Sequence, residues 1–246
     1  MLYDIWTVFW REWLVLRRRL GRFILTRMVS PVLYLIAFGW GLGRSIQVGQ
    51  GSYLDFIVPG IIALNSMNIS FNSVGSPLNM SRLYHKTLEE YLIAPIGSPS
   101  FVIGKVLAGA LRGLISSVLI IVLAYAFGAN LIINTWFLLA LVLNCLVFAS
   151  MALVAAMTMN SHEDMANFNT YVLLPMSFLC ATFFIPDHLP AALSWIIQIL
   201  PLTHASFALR AIGTGGAVPV FSLVMMGVYS AVFIGIGVWL MEKVRE

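Results

Sequence analysis

Long apolar runs separated by short polar stretches set the pattern of this chain. Residues 23–42, 55–79, 101–127, 135–159, 168–185 and 218–241 each approach or exceed the roughly 20 residues that a helix needs to cross a bilayer. The pattern predicts six membrane spans. Residues 1–22 have a different rhythm. On a helical wheel Trp6, Phe9, Trp10, Trp13, Leu14, Leu16 and Leu20 share one face, while Asp4, Arg11, Glu12, Arg18, Arg19 and Arg22 take the other. Tryptophans opposite arginines predict an amphipathic helix lying in the headgroup region, with Arg17 snorkelling from the apolar arc. Residues 186–216 differ again, because Pro201 divides them into two apolar pieces too short to cross. A re-entrant or interfacial segment is expected there, before the last span.

The connection at 82–100 is the one sizeable charged island between spans, holding Arg82, Lys86, Glu89 and Glu90. A short helix is expected from Thr87 to Ile93. Thr87 is a suitable cap, Glu89 and Glu90 suit the positive N-terminal end, and Pro95 stops the helix. Two readings fit these residues. One is a handle gripped by a soluble partner, and the other is a solvated turn laced with acid–base pairs.

Within the spans, the polar positions are few and patterned. Asn65, Asn68, Asn72, Ser76 and Asn79 recur at spacings of three or four, which places them on one stripe of the second span. Such a stripe facing lipid is costly, so it must face protein or water. Hydrogen bonding to a neighbouring helix and a translocation path both satisfy that requirement. Arg112 lies inside the third span and calls for a partner or water. Gly109 and Gly113 form a Gly-xxx-Gly pair in the same span, which permits close helix contact. Asn160–Asn167 reads as a solvated turn, since His162 and Glu163 lack the His-Glu-x-x-His spacing of a zinc site.

Composition agrees with the pattern. Hydrophobic residues make up 60% and charged residues 10% of the 246, with a mean hydropathy of +0.93. This is an all-α polytopic membrane protein by class. The net charge of +4 is concentrated near the N-terminus and points to membrane anchoring rather than nucleic acid. Six spans place Arg11, Arg17, Arg18, Arg19, Arg22, Lys86, Lys105, Lys243 and Arg245 on one side, against Arg44 and Arg210 on the other. Both termini and the 82–100 segment are therefore expected in the cytoplasm of a multi-pass cell (inner) membrane protein. Cys145 and Cys180 both fall in apolar runs and read as small buried hydrophobes.

An energy source is missing from the sequence. No acidic residue lies mid-span, as a proton-coupled carrier would place one, and no Gly-x-x-x-x-Gly-Lys-Ser/Thr loop is present. His85, His162, His188 and His204 all lie outside the main spans, which disfavours an intramembrane enzyme. Spans with a charged handle and no engine imply a motor on another chain. A membrane scaffold or assembly factor, and a stand-alone carrier, are the alternatives.

The segments PVLYLIAFGWGLGR at Pro31–Arg44, FIVPGIIALNSM at Phe56–Met67 and KTLEEYLIAPIGSPSFVIGK at Lys86–Lys105 resemble the permeases of the ABC-2 type exporters. That family moves polysaccharides, lipo-oligosaccharides and drugs, and the layout is similar to its small single-domain permeases such as the nodulation-factor exporter subunit. The last segment carries the family's Thr-x-Glu, paired apolar residues, proline and Gly-Lys, with Lys86 where a glycine often precedes the threonine. The resemblance implies a non-catalytic subunit for an amphiphilic, lipid-linked or saccharide substrate or drug. It implies that Lys86, Thr87, Leu88, Glu89, Glu90 and Tyr91 form a coupling helix on a cytosolic ATP-binding-cassette subunit, which holds the ATP and Mg. No cofactor is expected in this chain. It further implies a second permease copy, with Asn65, Asn68, Asn72 and Ser76 along the path, and an extracellular re-entrant helical pair at 186–216.

Overall fold

The computed structural model describes residues 1–37, 47–48, 51–180, 195 and 197–245. Ten α-helices lie among them. α1 is Leu2–Arg18, α2 Leu20–Tyr34, α3 Tyr53–Leu83, α4 Thr87–Ile93, α5 Ser98–Ala126 and α6 Thr135–Thr158. α7 is His162–Phe168, followed by a π-helical turn at Asn169–Leu173, then α8 at Leu174–Leu179, α9 at Pro201–Gly213 and α10 at Val220–Arg245. A two-residue ribbon pairs β1 (Gln47–Val48) antiparallel to β2 (Gly51–Ser52) just before α3. The architecture is all-α.

Among the described residues five helices are long and apolar enough to cross a membrane: Leu20–Ala37, Leu54–Leu83, Ser98–Ala126, Thr135–Thr158 and Val220–Arg245. The far end of the expected fifth span (181–185) lies outside the described residues, as do the end of the first span and Arg44. The same holds for Asp187, His188 and most of the first re-entrant piece, whereas the second piece is α9. At 13 residues α9 is about 20 Å long, too short to traverse the hydrocarbon core.

α3 is the centre of the bundle. Of its apolar window 83% is buried inside the chain, against 11% for α2 and 22% for α10. It packs on α5, α6 and α9, and α10 closes the far side against α6, α9 and α5. Phe71, Phe101, Phe137 and Phe148 are fully buried in this core, with Ile57, Ile61, Ile62 and Met67. The Gly109–Gly113 pair sits where α5 crosses α3 and α6. A Cβ on Gly109 would lie 2.3 Å from Val74, and one on Gly113 would lie 2.0 Å from Ser70 Oγ and 2.9 Å from Cys145 Sγ. Without a side chain at these two positions the backbones reach contact.

Side-chain oxygens start two helices. Asn134 Oδ1 accepts from Phe137 N at 2.9 Å to cap α6, and Ser161 Oγ accepts from Asp164 N at 2.9 Å to cap α7. The solvated turn expected at Asn160–Asn167 is thus mostly helix, with Met165 buried over Gly75. Pro175 accounts for the π turn that follows, because its ring has no N–H for the carbonyl four residues back and crowds it.

The entry to α4 also departs from expectation. Lys86, not Thr87, occupies the cap position, and its backbone is left-handed with φ 53°. Thr87 is already helical, and its hydroxyl pairs with Ser81 Oγ at 2.5 Å. A left-handed position is one that glycine adopts without strain, which gives a physical reason for a glycine at this point of the motif.

At the other end of the bundle, α9 is tied to its neighbours. Arg210 Nε donates to Phe56 O at 3.1 Å and its guanidinium lies 3.9 Å over the Phe56 ring. Ile132 N donates to Gly213 O at 2.9 Å, and Tyr229 Oη to Ile199 O at 2.6 Å.

Candidate functional site

α1 lies against the start of α5, and the contact shows why the helix carries an acid. Val8 and Leu16 are buried, and a Cβ on Gly104 would meet Val8 at 2.8 Å. Glu12 falls midway between them at a spacing of four, so it turns inward with them. The tryptophan face lies outward, with Trp6 and Trp10 exposed and their rings stacked 5.4 Å apart. The wheel assigns Glu12 to the water face. The structure instead puts it against the protein, because α5 presents cations at that depth.

Those cations are Lys105 and Arg112, seven residues and about two turns apart on one face of α5. Glu12 bridges them. Its Oε1 accepts from Lys105 Nζ at 2.5 Å and its Oε2 from Arg112 Nη2 at 2.9 Å, with all three side chains no more than 15% exposed. Arg112 Nη1 also donates to Ser73 O on α3 at 2.9 Å. Glu12 therefore fastens α1 to α5, and Arg112 in turn fastens α5 to α3. Burial pushes the Glu12 carboxyl up, but Lys105 foremost, then Arg112 and Arg11, hold it below the ordinary glutamate range.

α4 joins the same cluster through Tyr91. Arg11 Nη1 donates to Tyr91 Oη and the guanidinium lies 5.2 Å from the ring centroid. Lys105 Nζ is 5.4 Å from the same centroid, and Tyr91 packs edge-on to Phe101 at 4.9 Å. Burial raises the Tyr91 hydroxyl above its usual range, and its oxygen accepts the Arg11 bond. Leu88 is buried beneath α4, whereas Lys86, Glu89 and Glu90 point out of the fold. Arg245 Nη1 donates to Ile96 O at 3.1 Å, steadying the segment that leaves α4.

The arginine at the end of α3 has a different task. Arg82 Nη1 donates to Ala156 O at 3.0 Å and to Met157 O, and its Nη2 donates to Asn160 Oδ1 at 3.3 Å. It caps the negative end of α6. Asn79 Nδ2 adds a bond to Met159 O at 3.1 Å.

The asparagine stripe divides between two environments. Asn65 is buried and donates to Ser116 Oγ on α5 at 2.7 Å, which is helix-to-helix bonding. Asn68 and Asn72 are half-buried and donate to carbonyls of their own helix, Leu64 at 3.0 Å and Asn68 at 2.9 Å. Both line a cleft of about 330 Å³ between α2, α3 and the π turn, opposite Asn169, Thr170 and Ser177 and beside Tyr34, Leu174 and Phe178. Ser76 is half-buried and does not line it. Asn144 on α6 donates to Ala63 O at 3.0 Å and Ser66 Oγ at 2.7 Å, a buried bond that the stripe gave no hint of.

The ABC-2 type transporter family profile matches residues 3–214. The chain belongs to that family. Relatives are distant but cover most of the length. The Nodulation protein J of Rhizobium meliloti (strain 1021) is 28% identical over 214 residues, 85% of this chain and 81% of its own. The inner membrane transport permease YadH of Escherichia coli (strain K12) is 26% identical over 211 residues, 83% and 82% of the two chains. Family membership makes this multi-pass protein a transmembrane subunit of an ABC transporter and implies an ATP-binding-cassette partner. Within that frame α1, α4 and the head of α5 form one charged unit, and the Asn68–Asn72 cleft lies one residue from the Ser73 carbonyl that Arg112 holds.

The pairing has a pH signature. A carboxylate held below its ordinary range stabilises the fold above the unfolded value, about 4.3, and the benefit fades as pH falls through the lower folded value. Thermal unfolding of the detergent-solubilised protein should show Glu12→Gln less stable than the parent by several degrees at pH 7. The gap should narrow below about pH 4. A gap that is constant from pH 7 to pH 3 would rule out an ionised Glu12 as its source.

Proposed function

We propose that this chain is the membrane-spanning permease of an ATP-binding-cassette exporter in the inner membrane. It acts as a non-catalytic subunit. A separate nucleotide-binding subunit binds ATP and Mg and drives the transport of an amphiphilic, lipid-linked or saccharide substrate or a drug. A second copy of the permease completes the path, and both termini and α4 face the cytoplasm. The observation that carries the reading is the build of α4. A seven-residue helix displays Glu89 and Glu90 outward while Leu88 seats it in the apolar core and Tyr91 fastens it to the ion cluster. An element so anchored transmits a push at its outer face to α1 and α5 instead of yielding like a loop.

The surface charges of α4 then meet a partner rather than water. An exposed ion pair contributes about 0–1 kcal/mol, whereas charges desolvated at an interface and reversed against their mates cost several. Glu89→Lys combined with Glu90→Lys should leave membrane abundance normal, since both side chains are exposed. It should abolish coupled transport and lower ATPase-subunit capture at least tenfold. Unchanged capture together with unchanged substrate-stimulated ATP hydrolysis in proteoliposomes would refute α4 as the coupling helix.

The path reading rests on the cleft, which sets amide and hydroxyl groups beside Leu174 and Phe178 as an amphiphile requires. In a background lacking Cys145 and Cys180, cysteines at Asn68 and Asn72 should react with a water-soluble maleimide in at least one nucleotide state. Cysteine at the buried Asn65 should react at least tenfold more slowly. Equal rates at all three positions would contradict a path along Asn68 and Asn72.

A further inference from the structure

The elbow between α1 and α2 encloses a second cleft, of about 320 Å³, against the flanks of α3 and α5. Arg19, Arg22, Arg27 and Arg112 all line it, together with Thr26 and Asn72, and no carboxylate does. Among the described residues Arg19, Arg22 and Arg27 have no carboxylate within ion-pair range, and Arg112 shares Glu12 with Lys105. Cations gathered at one cleft repel one another and draw a compact anion. Guanidinium forks match the oxygens of a phosphate in geometry as well as charge.

Arginines at headgroup depth also serve as plain membrane anchors. Arg17 and Arg18 fit that description, being absent from the cleft lining, although Arg19, Arg22 and Arg27 are as exposed as they are. The other feature of the cleft is where it leads. Asn72 lines both this cleft and the Asn68–Asn72 cleft, so the two clefts adjoin at one side chain. We propose that the α1–α2 elbow is an intake site for the phosphate-bearing headgroup of an amphiphile in the adjacent leaflet, handing the molecule on past Asn72. The proposal rests on the transport reading and gives its substrate an anionic headgroup.

The test uses the full chain in phosphatidylcholine nanodiscs, with no ATPase subunit and no transport. Short-chain phosphatidic acid is titrated by calorimetry, with short-chain phosphatidylcholine and inorganic phosphate in separate arms. Phosphatidic acid should bind saturably, and Arg22→Gln with Arg27→Gln should weaken it about tenfold or more. Arg17→Gln with Arg18→Gln removes the same charge outside the cleft and should change affinity less than threefold. Arg22→Lys with Arg27→Lys should recover part of the loss, which a misfolded variant would not do. Equal losses in the two glutamine doubles, or no saturable binding, would overturn the proposal. Inorganic phosphate competing as well as the lipid would make this a site for a soluble anion and overturn it too. Failure here leaves ATP-coupled export intact, and failure of coupled export leaves cleft-dependent binding standing.

Discussion

One carboxylate holds the charged end of this protein together. Lys105 and Arg112 lie on an otherwise apolar helix, largely removed from water, and α5 offers them no acid. Glu12 supplies it from α1. A cation left alone at membrane depth costs at least about 2.5–3.5 kcal/mol, and breaking a buried pair costs about 3–5. The amphipathic helix therefore cannot drift freely along the headgroups as its tryptophan face alone would permit. It is docked, with Val8 on Gly104 and Glu12 between the two cations.

From that anchor the rest of the charged end follows. Arg11 sits beside Glu12 and reaches Tyr91, so α4 rides on the same body as α1 and α5. Arg112 grips the Ser73 carbonyl, so α3 is held at the residue next to Asn72. Contiguity from the outer face of α4 to the clefts is thus built from ion pairs, one tyrosine and one backbone carbonyl. Such a chain of contacts can carry a displacement, provided the body has two arrangements between which nucleotide binding chooses.

Much of the frame was readable from the sequence. Lipid forces apolar runs of about 20 residues, and that requirement marks α2, α3, α5, α6 and α10 without tertiary knowledge. The short helix at Thr87–Ile93 was readable from its acids and the following proline. Its cap was not, because a pattern names the residue suited to cap but not the backbone that places Lys86 there. Ser161 with Asp164 three residues on was a capping signal in plain view, outweighed by the polarity around it. Glu12 was assigned to water because a wheel sorts residues by polarity and knows nothing of a neighbour's charge. Two cations in a span with no acid of its own were the missing clue. The stripe shows the same limit. Periodicity states which residues share a face, while neighbours decide that Asn65 meets Ser116 and that Asn68 and Asn72 meet a cleft.

The central claim is that Glu12 and Arg112 are coupled across the α1–α5 contact, and a double-mutant cycle reads it directly. Unfolding free energies would be measured in detergent for the parent, Glu12→Gln, Arg112→Leu and the double variant. Glu12→Gln strands both cations, Arg112→Leu leaves Glu12 on Lys105, and the double leaves only Lys105. The Glu12–Arg112 pair is thus lost in each single but only once in the double. The double should therefore be less destabilised than the sum of the singles, by on the order of 1–3 kcal/mol. Additivity to within about 0.3–0.5 kcal/mol would mean that the two groups act independently, and would contradict the account.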